Sequence, residues 1–200
     1  EIRGVGNLLG PEQHGHMASV GFDMYCQLLS EEVQRLKGEK VPEERMEVAI
    51  DVACSAYLPD DYIGDSDIKI ELYKKIAEIR NQSQLKTLLN EIEDRFGAVP
   101  DSVYHLFLVA RLKILAEKLG IIAISQQNHS FLVTFKGLNH IESRDIGDLI
   151  GKFGRRFGFK MSENLEMTVR CDKLSNVKAL LLLIKIFVYL LEKRENENSV

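Results

Sequence analysis

The spacing of apolar residues changes at Gly120, and this change constrains the fold more strongly than any other feature of the sequence. Before it, apolar residues recur every three or four positions, which predicts three successive helices over about 67–80, about 84–96 and 100–119. Ser83 is the predicted N-cap of the second of these helices, and Gly97 is its predicted end.

Beyond Gly120 the apolar residues alternate with polar ones, which is the spacing of half-buried strands. This pattern predicts one hairpin from 121–125 and 131–136, and a second strand pair from 157–161 and 166–170. Helices are predicted over 141–153 and, with Ser175 as its cap, from 177 to about 194; a further strand is predicted over 46–53. The order of elements therefore indicates an α+β fold, a compact domain of several helices with small antiparallel β elements.

The sequence also predicts a short N-terminal part ahead of this domain. Residues 1–38 are predicted to form a glycine-rich loop and one long helix, and the polar residues 39–45 a linker. The domain is predicted over 46–194, and residues 195–200 are predicted to be a flexible tail. Because the chain begins inside a motif and without methionine, we expect it to be a fragment.

Composition limits the classes of function. A net charge of −4 and a pI near 5.8 argue against general nucleic-acid binding, although they leave room for a local basic patch. The longest apolar run, 179–184, is too short for a membrane span, and no signal peptide is recognisable. The three cysteines, Cys26, Cys54 and Cys171, are far apart, which predicts buried thiols in a reduced, cytoplasmic protein without a zinc site.

No motif of a catalytic site is present in the sequence. It lacks the phosphate-binding G-x-x-x-x-G-K-[ST], the nucleophile motif G-x-S-x-G and the zinc motif H-E-x-x-H. The adjacent Asp60 and Asp61 are better explained by a turn and a helix start than by catalysis. The sequence therefore predicts that this fragment is not an enzyme and holds no metal or cofactor.

The first fifteen residues contain four glycines and Pro11, which exclude a regular helix or strand. Among them lie Arg3, with five hydrogen-bond donors, and Gln13, which both donates and accepts. Two interpretations remain open from the residues themselves. The loop either makes polar contacts with another part of a larger assembly, or is a tight connection into the following helix.

This stretch resembles the translocation motif of RecG-like DNA translocases, and its form is most similar to that of bacterial transcription-repair coupling factors, the Mfd family. The resemblance continues in Gly21-Phe22-Asp23-Met24-Tyr25, in the segment 57–63, and in Asp94-Arg95-Phe96-Gly97 followed by Pro100-Asp101. It covers nearly the whole chain. The resemblance assigns the following residues to the translocation motif: Arg3, Gly4, Gly6, Gly10, Gln13, His14 and Gly15.

The resemblance implies a role within a larger motor. The intact protein would hydrolyse ATP with magnesium in two RecA-like lobes, move along duplex DNA, displace RNA polymerase stalled at a lesion and recruit UvrA. Arg3 and Gln13 would help convert ATP-driven closure of the lobes into movement. The domain after residue 45 would be the regulatory TRCF domain.

A second candidate site lies near the end of the helix predicted before Gly97. Glu91 and Asp94 are three residues apart on one face, where the helix dipole disfavours anions, and Arg95 follows them. This is either an ordinary solvated face or a docking site for a basic partner. The resemblance implies docking on the UvrB-like N-terminal module of the same protein, which would inhibit the motor and cover the surface that UvrA needs.

Residues 152–160 mix cations, aromatic residues and glycines, as segments that bind single-stranded nucleic acid do. The alternative, which the residues favour, is a helix end followed by a strand whose Phe side chains enter the core. A free-standing nucleic-acid-binding α+β module is therefore the alternative function.

Overall fold

The computed structural model describes residues 48–197 except 139, and within this range the side chains of Ser143 and Glu197 are not described. The predicted translocation motif, its helix and the linker lie outside the described residues. The described chain forms two compact units, Cys54–Ala110 and a second composed of residues 48–53 and 111–197.

The first unit is helical. It contains helix α1 (Ser66–Glu78), helix α2 (Gln82–Phe96) and the first half of helix α3 (Asp101–Leu119). Ile92, Val103 and Leu106 are fully buried, so the predicted helical stripes form its core. The three predicted helices are confirmed to within one or two residues at each end.

Local hydrogen bonds define where the first two helices begin. The Asp65 side chain caps α1 by accepting from the backbone N–H groups of Asp67 and Ile68 at 2.9 and 3.1 Å. The Asn81 side chain caps α2 by accepting from the N–H of Gln84 at 2.9 Å, so the prediction of Ser83 as the cap was wrong. Asn and Ser cap equally well, and Asn81 is the one of the two that has the extended backbone of a cap.

The adjacent aspartates of the first unit lie in a turn, as predicted. Tyr62 and Ile63 donate backbone hydrogen bonds to the Pro59 carbonyl, which closes this turn. The Asp60 carboxylate forms an ion pair with Lys69, whose side chain is only 4% exposed. A buried cation requires such a partner, so Asp60 stabilises the fold.

The second unit is built on one five-stranded sheet. Its strands are β1 (Ala49–Asp51), β2 (Ile121–Gln127), β3 (Ser130–Phe135), β4 (Phe157–Met161) and β5 (Leu165–Arg170), in the order β1-β2-β3-β5-β4. Helix α4 (Ser143–Phe153) connects β3 to β4, and helix α5 (Asn176–Glu197) follows β5. The α+β fold class is thus confirmed, as are both predicted strand pairs.

One face of this sheet carries the core of the second unit. The alternating residues Phe131, Val133 and Phe135 of β3 are fully buried and lie opposite Val169, Met167 and Leu165 of β5. On β4 the same face continues with Phe157 and Phe159, which are half-buried, and ends at Met161, which is 62% exposed. The sheet therefore becomes progressively more exposed towards β4.

The arrangement of the strands was not predicted. The two hairpins join through β3 and β5, and β1 pairs with β2 in parallel, with Ile50 opposite Ile124. Helix α5 begins one residue earlier than predicted and continues to Glu197, three residues further. Within the part of the chain that the structure describes, every helix is too short or too polar to span a bilayer.

Candidate functional site

The acidic face predicted on α2 is present at the surface of the first unit. Leu85, Leu88 and Ile92 bury the inner side of the helix. The Glu91 side chain is 40% exposed and Asp94 is exposed, so both carboxylates lie on the outer side. The structure brings the three predicted docking residues, Glu91, Asp94 and Arg95, onto the last turns of one helix.

Glu91 belongs to a network of ion pairs that joins α1 to α2. Its Oε1 lies 3.4 Å from Nζ of Lys75 on α1 and 3.6 Å from Nη1 of Arg95 on α2. Lys75 Nζ also lies 3.1 Å from Oε1 of Glu71. Hydrogen bonds to Glu71 and then to Glu91 raise the pKa of Lys75, so this ammonium group stays charged over the whole physiological range.

Asp94 differs from Glu91 in its surroundings. Among the residues that the structure describes, no cation pairs with the Asp94 carboxylate. It lies in the last turn of α2, where the carbonyl ends of the helix make a negative charge unfavourable. Asp94 is therefore an exposed anion whose charge is not compensated within the described residues.

The residues after Asp94 hold the end of α2 in place. The Arg95 guanidinium lies 5.0 Å from the centre of the Phe96 ring, and the Phe96 ring lies 6.0 Å from that of Tyr62. The Tyr62 hydroxyl donates a hydrogen bond of 2.8 Å to the Gly97 carbonyl. Gly97 has φ +86°, which ends the helix in a conformation that favours glycine. The Asp-Arg-Phe-Gly sequence thus presents its acid on a fixed helix end.

Lys75 and Tyr62 were not among the predicted site residues. The spacing of Glu71 and Lys75, four positions apart on one helix, could have suggested their pairing. No local signal could have revealed the contacts of Lys75 with Glu91 or of Tyr62 with Gly97, because each spans more than fifteen residues of sequence. These contacts depend on how the helices pack.

An open groove of about 560 Å³ lies beside this network. Lys75, Glu78 and Glu91 contribute charges to its lining, and Thr87 and Gln84 contribute neutral polar groups. A lining of this kind suits side chains of another protein better than an apolar small molecule, which prefers an enclosed apolar pocket.

The remaining predicted site residues fall elsewhere. The predicted translocation residues at positions 3–15 lie outside the described residues. The segment 152–160 forms the end of α4 and strand β4. Lys152 lies 4.0 Å from the centre of the Tyr189 ring, and Lys160 lies 3.6 Å from Glu166. This arrangement is the helix end and strand that the structural alternative predicted, with Phe153, Phe157 and Phe159 half-buried.

The described cysteines are free thiols. Cys54 is half-buried and Cys171 is buried. Burial raises the pKa of Cys54 to about 11 and also raises that of Cys171, so both remain protonated at neutral pH. No cluster of three His, Cys, Asp or Glu side chains suited to a metal ion occurs among the described residues.

Comparisons with known proteins identify relatives of the chain. The model of the TRCF domain family matches residues 52–146. The transcription-repair-coupling factor of Bacillus subtilis (strain 168) is 37% identical over 162 residues, which are 80% of this chain and 14% of that protein. That of Escherichia coli (strain K12) is 35% identical over 156 residues, 76% of this chain and 14% of that protein. The chain thus spans about one seventh of the length of these curated relatives.

A solved structure supports the same relationship. The crystal structure of the C-terminal domain of transcription-repair coupling factor superimposes with a TM-score of 0.67 at 25% sequence identity. The match covers 76% of this chain and 98% of the solved domain.

Proposed function

Because the chain belongs to the family of transcription-repair coupling factors and contains their TRCF domain, we propose that it is the C-terminal regulatory region of a DNA translocase. The intact protein would use ATP and magnesium to move on duplex DNA and to displace stalled RNA polymerase. Arg3 and Gln13 would serve that movement. The chain itself would supply regulation, because the similarity includes the TRCF domain.

The regulatory contact would be made by the acidic face of α2. We assign Glu91 and Asp94 to docking on a basic surface of the UvrB-like N-terminal module of the same protein, with Arg95 positioning Glu91. The observation that carries this assignment is Asp94, an exposed carboxylate at a fixed helix end without a described ion-pair partner. A basic partner would offset the unfavourable interaction with the helix dipole.

Docking would inhibit the motor until the intact protein meets RNA polymerase. With the TRCF domain in place, the surface of the UvrB-like module that UvrA needs would be covered and ATP hydrolysis would be slow. Release would expose that surface and free the motor. An interface of exposed charge pairs suits such a switch, because its strength is modest and can be overcome by a competing contact.

A titration calorimetry experiment tests the docking. The 200-residue chain is titrated with the UvrB-like module of its parent protein at two salt concentrations, beside the Asp94→Lys variant. The matched control is Glu93→Lys, the same charge reversal on the same helix but turned by about 100° from Asp94. We expect salt-sensitive binding that Asp94→Lys removes and Glu93→Lys retains.

Two outcomes would overturn the docking assignment. One is equal binding by the chain and both variants. The other is absence of binding to the module together with strongly salt-dependent binding of the chain to DNA, which would favour a nucleic-acid-binding module.

The regulatory role is tested separately in the intact protein. Reversal of both charges, at Glu91 and Asp94, is expected to raise the ATPase activity without DNA and to increase UvrA binding. If both quantities stay at the level of the unmodified protein, the domain is not an inhibitory clamp.

A further inference from the structure

A second groove, on the other compact unit, has a different character from the acidic face of α2. It has a volume of about 410 Å³ and lies between the first half of α5, the turn that follows β5 and the residue before β4. Its lining combines cations with aliphatic side chains: Arg156, Leu174, Lys178, Leu181, Leu182 and Lys185. Asp172 is the carboxylate in the lining, so cations outnumber it by three to one.

Four of these residues form one face of α5. Lys178, Leu181, Leu182 and Lys185 stand at positions i, i+3, i+4 and i+7 of the helix, which lie on the same side. The two leucines are half-buried and the two lysines exposed. At 1.5 Å per residue the lysines are about 10.5 Å apart along the helix axis, with the leucines between them.

The cations of this groove form no ion pairs within the described part of the chain. No carboxylate among the described residues forms an ion pair with Lys178 or Lys185, whereas Lys75 and Lys193 each contact two carboxylates. Arg156 is fixed in place, because its Nε donates to the Phe153 carbonyl at 2.6 Å and its Nη1 to the Arg170 carbonyl at 3.4 Å. In a chain of net charge −4, this is a local positive site with an aliphatic floor.

We propose that this groove binds an amphipathic helical segment of a protein partner, with acidic residues about two turns apart and aliphatic residues between them. A helix with this pattern would place its acids on Lys178 and Lys185 and its aliphatic residues on Leu181 and Leu182. Helices that dock in grooves use this same spacing of anchors. The complementary charges would set the orientation of the segment and speed its association.

A peptide fits the lining better than a nucleic acid does. Proteins that bind single strands stack the bases on aromatic side chains, and the side chains that line this groove are aliphatic or charged. Half-buried leucines between the cations gain from burial against other aliphatic groups, which phosphates and sugars do not supply.

The experiment uses the isotopically labelled 200-residue chain and NMR titration with a designed helical peptide. The peptide has a seven-residue repeat with glutamate at position 1, leucines at positions 4 and 5 and alanines elsewhere, so that successive glutamates are seven residues apart. A control peptide of the same composition places its leucines and glutamates around the whole helix. We expect saturable shifts at the amide groups of 178–185 and near Arg156 with the first peptide, and at least about tenfold weaker binding of the second.

Charge-reversal variants identify the groove as the site. Lys178→Glu with Lys185→Glu is expected to weaken binding about tenfold or more. Lys74→Glu with Lys86→Glu, two exposed lysines of the first unit, produces the same net charge and is expected to leave binding unchanged. The helix content of each variant is first compared with that of the unmodified chain, so that a loss of folding is not mistaken for a loss of binding.

Three results would overturn the proposal. These are the absence of shifts around the groove up to about 1 mM peptide, equal loss of binding in both double variants, and stronger binding of an oligothymidylate than of the designed peptide at the same residues. The last result would instead identify the groove as a nucleic-acid site.

Discussion

Replacement of Asp94 by lysine is expected to stabilise the folded chain and, at the same time, to weaken its docking. Asp94 lies in the last turn of α2, is exposed and has no ion-pair partner among the described residues. Its removal therefore breaks no described contact. The two effects have opposite signs because the carboxylate is unfavourable for the helix, and the proposed benefit of the carboxylate comes from a partner.

The magnitude follows from two local interactions. A charge in the last turn of a helix changes the free energy of unfolding by about 0.3–1 kcal/mol, and a charge pair three residues apart changes it by about 0.2–0.5 kcal/mol. The substitution removes one unfavourable interaction of each kind and adds one favourable interaction of each kind, with Glu91 as the neighbour. Because the position is exposed, the lower values apply, and their total is about 1 kcal/mol.

Urea denaturation followed by far-ultraviolet circular dichroism at low salt measures this change. A gain of about 1 kcal/mol corresponds to a rise in melting temperature of about 2–4 °C for a chain of this size. Asp94→Asn is expected to give about half of the gain. High salt should reduce it, because exposed charges are screened.

Glu91→Lys provides the contrasting case. This variant loses the ion pairs of Glu91 with Lys75 and Arg95 and places a third cation beside them. Relief of the repulsion from Asp94, three residues away, offsets part of this loss, so we expect a decrease of about 0.5–1 kcal/mol in the free energy of unfolding, with docking weakened as in Asp94→Lys. A destabilised Asp94→Lys variant, or two variants that change stability in the same direction, would refute this account of the acidic face.

Two further predictions concern the second unit. Gly120→Ala is expected to lower the free energy of unfolding by at least about 1–2 kcal/mol in urea denaturation, because φ is +72° and the added Cβ would overlap the imidazole of His140. Gly137→Ala is the control, since Gly137 has φ +81° but a Cβ there would lie in open space. Its free energy of unfolding should fall only by the cost of the positive φ. Burial raises the pKa of Asp145, but the hydrogen bonds from Lys193 and from a backbone N–H outweigh it and hold this pKa below its ordinary 3.8. The ionised Asp145 carboxylate therefore contributes to stability above about pH 4, and this contribution is lost as the pH falls through the folded-state pKa. The difference in free energy of unfolding between the chain and Asp145→Asn should accordingly shrink below about pH 4. A larger loss for Gly137→Ala, or a pH-independent difference for Asp145→Asn, would contradict these expectations.

The sequence predicted the helices and strands because their signals are local. Gly97 and Gly120 end helices at positive φ, and the alternation after Gly120 marks the strands. The N-cap of α2 was misplaced because Asn81 and Ser83 are equally good caps two residues apart, and the sequence offers no rule for choosing between them.

The candidate site, too, was predicted where its signals are local and was not predicted where they depend on packing. Helical spacing placed Glu91 and Asp94 on the outer side of α2, and the structure agrees. It did not distinguish the two acids, one held by Lys75 and Arg95 and the other without a described partner. That difference depends on the packing of α1 against α2, which periodicity within one helix does not encode.

By itself, then, the sequence determined the kinds and order of the elements, the family resemblance and the acidic face, since each rests on residues a few positions apart. Only the tertiary structure decided that β1 pairs in parallel with β2 some seventy residues later, and that both hairpins join in one sheet. It also decided that Lys178, Leu182 and Lys185 line one groove with Arg156. Such contacts are selected by the burial of apolar surface between distant segments, and many pairings satisfy the same local pattern until the whole core is packed.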